Sequence, residues 1–227
     1  MRILALECSA GPASCAIFED GVITSSDFTN VRLTHSQTLM PMVKAMLDKA
    51  NLKINDIDAL AISHGPGSFT GIRIGISAVK GLAAPNKLPC YAVSTLRAIA
   101  QNFKGSDCVV CAVMDARCNQ VYNALFKVNG PTITRLCDDR ALMIEDLMQE
   151  LSEIKDSIII AGDGASLFEK YECNNITVAN EEIRYQTASG VAAAALDYEP
   201  ISSTRLTPFY LRLPQAEREL KRKQGEL

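Results

Sequence analysis

The chain has 227 residues and 48% hydrophobic content, more than the roughly 100 to 150 residues of one common domain, so two linked lobes are expected. A formal charge of -3 and a pI near 5.5 give no field that would collect a polyanion, which argues against strong nucleic-acid binding by this chain alone. No stretch, the opening MRILALECSA included, approaches the roughly 20 apolar residues that cross a bilayer, so the chain reads as soluble and cytosolic, with its eight cysteines reduced and buried as small hydrophobes.

Residues 1–30 read as an antiparallel meander: ILALECS, then ASCAIFE after a Gly11-Pro12 turn, then VITSSDF after Asp20-Gly21. From about Ser36 to Ala50 the spacing becomes helical, and Leu39, Met40, Met42, Val43, Met46, Leu47 and Ala50 cover an arc wider than the roughly 100° stripe of an ordinary amphipathic helix. A buried strand IDALAISH follows, then the segment GPGSFTG, a helix over IRIGISAVKGLAA, a strand LPCYAVS and a helix over TLRAIAQNF. Three hairpin strands followed by alternating helices and strands form a mixed sheet in the βββαβα order of an actin-like ATPase (ASKHA, ribonuclease H-like) lobe. The expectation is a two-lobed α/β fold with mixed central sheets, its first lobe spanning residues 1–105.

After the polar KGSD a second series begins, with CVVCAVMDAR and QVYNALFKV around a short turn. A helix near MIEDLMQEL, a strand DSIIIAG, a turn at Gly162 to Gly164 and a helix over ASGVAAAALDY follow. This is a shortened second lobe, residues 106–227, ending in the charged tail AERELKRKQGEL, a solvated helix or frayed end with no RNA-binding role assigned.

Gly65-Pro66-Gly67-Ser68-Phe69-Thr70-Gly71 lies between a strand and a helix, where backbone N–H groups and the helix dipole can hold an anion. It lacks both the lysine of a P-loop and the spacing of a dinucleotide fingerprint, and the nearest cation, Arg73, is inside the helix. The failed motif rules favour a tight turn with close helix packing over a phosphate site. Projection of that helix puts Ile72, Ile76, Val79 and Ala83 on one side and Ile74, Ala78 and Leu82 on another, with Gly71 and Gly75 beside the second set. A sheet covers one face only. Either the two neighbouring helices cover one another, or Leu39, Met40, Val43, Met46, Leu47, Ile74, Gly75, Ala78 and Leu82 form an interface to a partner.

Catalytic groups are scarce. Ser9, Ser68 and Cys8 sit in plausible turns, but neither histidine, His35 or His64, is linked to them by a motif. Asp115 and Asp163 each follow an apolar run, as Mg²⁺ ligands or as turn caps. Cys108 and Cys111 form a CxxC pair, yet on a strand residues three apart point to opposite faces, so no metal site is expected there. No catalytic residue, metal or cofactor is assigned.

Taken together, ILALECS with ASCAI, THSQTLMPMV, HGPGSFTGIRIGISAVKGLA, MDARCNQVYNALF, GDGA and PFYLR resemble the TsaB (YeaZ) family of tRNA threonylcarbamoyladenosine biosynthesis proteins. Gly65 to Gly71 with Arg73 is the signature of the resemblance. It implies a two-lobed actin-like fold and a supporting, non-catalytic role in modifying the adenosine beside the anticodon of ANN-decoding tRNAs. The implied partners are TsaD, the catalytic subunit, and the ATPase TsaE, with tRNA met only through the complex. Pairing runs through first-lobe helices, with a homodimer possible when the chain is alone. TsaD proteins carry an HxxxH metal pair after the strand matching CYAVS, where this chain offers Thr95 and Ile99, neither a metal ligand. Many family members have aspartate where Glu7 stands, and threonine is common at Cys8. The competing reading is a small ATP-dependent kinase or peptidase-like enzyme of the same superfamily.

Overall fold

The structure, a computed structural model, describes residues 1–31, 34–171 and 173–212. The charged tail AERELKRKQGEL lies outside the described residues. Apolar runs broken by Gly11-Pro12 and by Asp20-Gly21, whose φ angles of 48° and 96° close a tight hairpin, fold into β1 (Arg2–Glu7), β2 (Ala13–Glu19) and β3 (Val22–Thr29). They pair antiparallel, with Ala5 opposite Ala16 and Ala16 opposite Ser26. Helix α1 (His35–Lys49) then crosses over, so that β4 (Ala59–Gly65) lies parallel to β1, and α2 (Phe69–Ala83) does the same for β5 (Pro89–Ser94). Crossovers of this kind bury a sheet face under helices. Here α1 and α2 cover one face, where Leu39, Val43, Ile76 and Val79 pack with Leu4, Leu6 and Ile62.

Helix α3 (Thr95–Gln101) leads into a second sheet of β6 (Asp107–Arg117), β7 (Gln120–Asn129), β8 (Thr132–Arg135), β9 (Arg140–Met143), β10 (Ile158–Ala161) and β11 (Ile176–Val178). Strands β6, β7 and β8 repeat the antiparallel meander, and β10 lies parallel to β6 as β4 does to β1. Helix α4 (Ile144–Ser152) fills one face through Ile144, Leu147 and Leu151, while Leu96 and Ile99 of α3 fill the other. Between β10 and β11 the repeat keeps only a 3-10 turn at Ala165–Phe168 in place of a crossover helix, which is the shortening of the second lobe. The duplicated topology defines a two-lobed actin-like ATPase fold with mixed sheets.

The expected division at residue 105 does not hold for the end of the chain. Helix α5 (Ala188–Ala195) packs on the open face of the first sheet with Ile3, Ala5, Ala16 and Val93, and β12 (Ile201–Ser202) pairs with β5. The physical cause is the bare apolar face left on the side opposite α1 and α2. A helix of small residues covers that face and also nests against α3, where a Cβ at Gly190 would run into the backbone of Ala98. Polar bonds seam the lobes, with Ser94 Oγ donating to Asp139 Oδ2 at 2.6 Å and Arg97 Nη1 donating to the Ile133 carbonyl at 2.9 Å.

Candidate functional site

The glycine-rich segment turns β4 into α2 beneath the end of β1. Gly65 and Gly67 take φ angles of 134° and 155°, the left-handed half of the map that favours glycine, and the 65–66 peptide is cis. Ser68 caps α2, its Oγ accepting from Gly71 N at 3.3 Å while its own N–H donates to the Ser9 carbonyl at 2.6 Å. A Cβ at Gly67 would lie 2.9 Å from Ser9 Cβ and 3.1 Å from Met114 Cε, and one at Gly75 would lie 2.7 Å from Cys8 Sγ and 2.9 Å from Ile62 Cδ1. Close packing, as the sequence indicates, therefore fixes these glycines.

Arg73 does not reach toward the mouth of the turn for an anion. Its guanidinium stacks 3.7 Å from the Phe69 ring centroid, and Nε donates to Tyr210 Oη at 2.8 Å. Phe69 and Tyr210 stack with centroids 4.9 Å apart, and His64 stacks on Phe209 at 5.7 Å while its carbonyl accepts from Phe209 N at 2.8 Å. The late PFYLR motif thus lies across the signature segment. The sequence carried it only as part of a resemblance, with no sign of where it docks.

Between the lobes opens a cleft of about 490 Å³, walled by Ser9, Gly67, Thr70, Asp115, Asp163 and Tyr210 among others. Asp115 and Asp163 are its carboxylates, and a third, Glu7, is buried behind Ser9 of its wall. Glu7 is fully buried at the end of β1; Oε1 accepts from Ser9 N at 2.6 Å and from Ser9 Oγ at 2.5 Å, and Oε2 accepts from Ser63 Oγ. Burial outweighs those donors and raises its pKa to about 7, with the Asp163 charge adding to the rise. Asp163 is likewise raised to about 7, by burial and then by Asp115, and its Oδ1 has no hydrogen-bond partner among the described residues. Asp115 caps its own turn, accepting from Arg117 N at 2.7 Å and pairing with Arg117 Nη1 at 3.1 Å. Among the described residues no group of three His, Cys, Asp or Glu side chains is placed to hold a metal ion.

The other candidate chemical groups are engaged in the fold. His35 Nε2 donates to the Ala10 carbonyl at 2.6 Å and His64 Nδ1 to the Thr207 carbonyl at 3.3 Å. Cys8 Sγ donates to the Gly71 carbonyl, and burial pushes its thiol far above the usual range. Cys108 and Cys111 do point to opposite faces of β6, one into the core under α3 and the other into the core under α4.

The candidate interface residues divide. Leu39, Val43, Met46 and Leu47 are 1%, 1%, 4% and 8% exposed and belong to the first-lobe core, and Gly75 is buried against β1 and β4, so none of the five presents a surface. The sequence projection missed this because an arc wide enough for two neighbours looks the same when α2 and β2 are the neighbours. Met46 Sδ sits 3.6 Å from Cys15 Sγ of β2. Met40 is 40% exposed, and Ile74, Ala78 and Leu82 are partly exposed along α2, leaving an apolar stripe open.

Fold and cleft together define a two-lobed protein of the actin-like ATPase class. A family model for TsaD, tRNA N6-adenosine threonylcarbamoyltransferase, matches residues 29–208. The tRNA threonylcarbamoyladenosine biosynthesis protein TsaB of Escherichia coli (strain K12) is 34% identical over 167 residues, 72% of each chain, and that of Bacillus subtilis (strain 168) is 28% identical over 224 residues, 96% of each. The structure of YeaZ from Pseudomonas aeruginosa superimposes with a TM-score of 0.77 at 27% identity, covering 92% of this chain and 99% of that one. The chain belongs to the TsaB (YeaZ) family of tRNA threonylcarbamoyladenosine biosynthesis proteins, within the wider group that the TsaD family model describes. No helix among the described residues is long and apolar enough to cross a membrane.

Proposed function

We propose that this chain is a non-catalytic scaffold subunit of threonylcarbamoyl transfer to tRNA, binding TsaD and, through that complex, TsaE. The observation that carries the reading is the junction of β5 and α3. There Thr95 and Ile99, at the place where TsaD proteins carry their HxxxH pair, are both fully buried and neither offers an imidazole. The docking surface assigned to the chain is the stripe of Ile74, Ala78 and Leu82 on α2, whose partial exposure leaves apolar area for a partner helix to cover, and Met40, exposed on α1, adds a second apolar contact. The same stripe serves a homodimer when the chain is alone, and tRNA is met only through the assembly. The cytoplasm is the compartment in which this assembly would work.

The test is reconstitution. With TsaD, TsaE, ATP and tRNA supplied, omission of this chain stops formation of threonylcarbamoyladenosine, and Ala78→Arg with Met40→Asp weakens binding to TsaD by at least about tenfold, a cost of roughly 1.4 kcal/mol or more. Undiminished modification without the chain would overturn the assignment. The interlobe cleft is the feature that favours the alternative, a small ATP-dependent kinase or peptidase-like enzyme. Turnover of Mg-ATP by the isolated chain is the result that would establish it.

A further inference from the structure

The segment Leu206 to Arg212 runs from the first lobe to the second. Leu206 is fully buried in the core beneath α1 and α2. Phe209 is tied to β4 through its N–H and its ring, and Tyr210 is seated on Phe69 with its hydroxyl held by Arg73. Arg212 then crosses the cleft, its Nη1 donating to the carbonyl of Ala116 at 3.3 Å, near the end of β6. Residues 209–212 are one wall of the cleft. The fit at Gly65 is close: a Cβ there would collide with the carbonyl of Phe209.

We infer that Leu206 to Arg212 is a latch, seated on the signature segment Gly65 to Arg73, that holds the second lobe's β6–β7 hairpin closed over the interlobe cleft. The signature segment is then a receptor for the chain's own late PFYLR motif. The hairpin is suited to being held from outside. Its tip residues Arg117, Cys118 and Asn119 all have positive φ, at 66°, 55° and 59°, a strained run that gains from an external tie. Beyond the Leu206 anchor, the ring stacks and hydrogen bonds of Phe209, Tyr210 and Arg212 lie at the rim, where they can open without unfolding either sheet.

Amide hydrogen exchange on the full chain, with thermal melting as a control for folding, tests this. Tyr210→Ala is expected to raise exchange at Phe209 and through residues 206–212 by about tenfold or more, and to raise it also at 115–120, to which Arg212 bonds. Arg212→Ala is expected to raise exchange at 115–120 while leaving Phe209 protected. Should Tyr210→Ala reduce folding, Tyr210→Phe keeps the ring stack and removes only the Arg73 bond, and a smaller rise at both places is expected. A rise confined to 206–212, or exchange at 115–120 that follows neither variant, would make the segment an ordinary packed terminus and overturn the latch.

Discussion

Replacing Glu7 by glutamine should make the protein more stable at pH 8 while changing it little at pH 5. Glu7 is fully buried, and burial is the largest influence on it, raising its pKa from an ordinary 4.5 to about 7 against the opposing hydrogen bonds from Ser9. A folded-state value above the unfolded one means that the folded protein holds the extra proton. The stabilisation is full below about 4.5 and is lost as pH rises through about 7. The difference corresponds to about 3 kcal/mol over the whole window, and to roughly 2 to 3 kcal/mol between pH 5 and 8. Glutamine fits the same donors, since its oxygen can face the two Ser9 groups at 2.6 and 2.5 Å while its NH₂ donates to Ser63 Oγ.

Urea unfolding of both proteins at pH 5, 6, 7 and 8 measures the effect, with the gap between them as the quantity of interest, because other titrating groups cancel. The gap should move in favour of glutamine as pH rises. Asp163→Asn should move it in the same direction, and the two substitutions should not be additive, because the Asp163 charge helps raise Glu7. A gap that stays constant from pH 5 to 8, or one that favours the wild type at pH 8, refutes the account of a buried, proton-holding carboxyl.

Two glycines of α2 should respond in opposite directions by urea unfolding. Gly75→Ala forces a methyl against Cys8 Sγ and Ile62 Cδ1 and should cost about 1–3 kcal/mol, whereas Gly81→Ala, with nothing within 4 Å of the new methyl, should add roughly 0.5–1 kcal/mol through helix propensity. Arg140→Met should lose about 1–3 kcal/mol, because the fully buried Asn123 Oδ1 accepts from Arg140 Nε and Nη2 at 3.2 and 3.1 Å and would be left unpaired. A thiol reagent added to the native protein should modify Cys118, which is exposed, well before Cys8, Cys15 or Cys111. These three are buried, and burial pushes the Cys15 thiol up to about 12. Mass mapping of the labelled sites reads out the order.

The elements legible in the sequence are those whose signal is local. ILALECS, ASCAIFE and IDALAISH are apolar runs bounded by turns, and each becomes a strand of the first sheet. Strands β8, β9 and β12 are only four, four and two residues long, and pairing with a neighbour defines them more than their own composition does. ASGVAAAALDY likewise indicates a helix, but nothing in its alanines says which sheet has a face left bare. For the site, the glycine spacing favours a tight turn over a phosphate loop. The docking of PFYLR was not readable, because Arg73 and Tyr210 stand 137 positions apart and neither has a local reason to meet the other.

The two helical faces show the same limit in a form that bears on function. Periodicity separates Ile72, Ile76, Val79 and Ala83 from Ile74, Ala78 and Leu82, and the first set is buried in the core. It cannot say whether α1's own wide arc is committed to the core, and Leu39, Val43, Met46 and Leu47 prove to be. That leaves α2 with three obligations on one helix. Gly71 and Gly75 press against Cys8, just past β1, its stripe faces outward, and Arg73 beside that stripe holds Tyr210. Ile74 is the next residue after Arg73, so a partner seated on the stripe would sit beside the latch. Exchange in residues 206–212 should therefore change when the stripe is covered by a partner, and Ala78→Arg should abolish that change without altering the latch in the free chain. A latch that responded to partner in the Ala78→Arg variant as it does in the wild type would separate the two surfaces and refute the coupling.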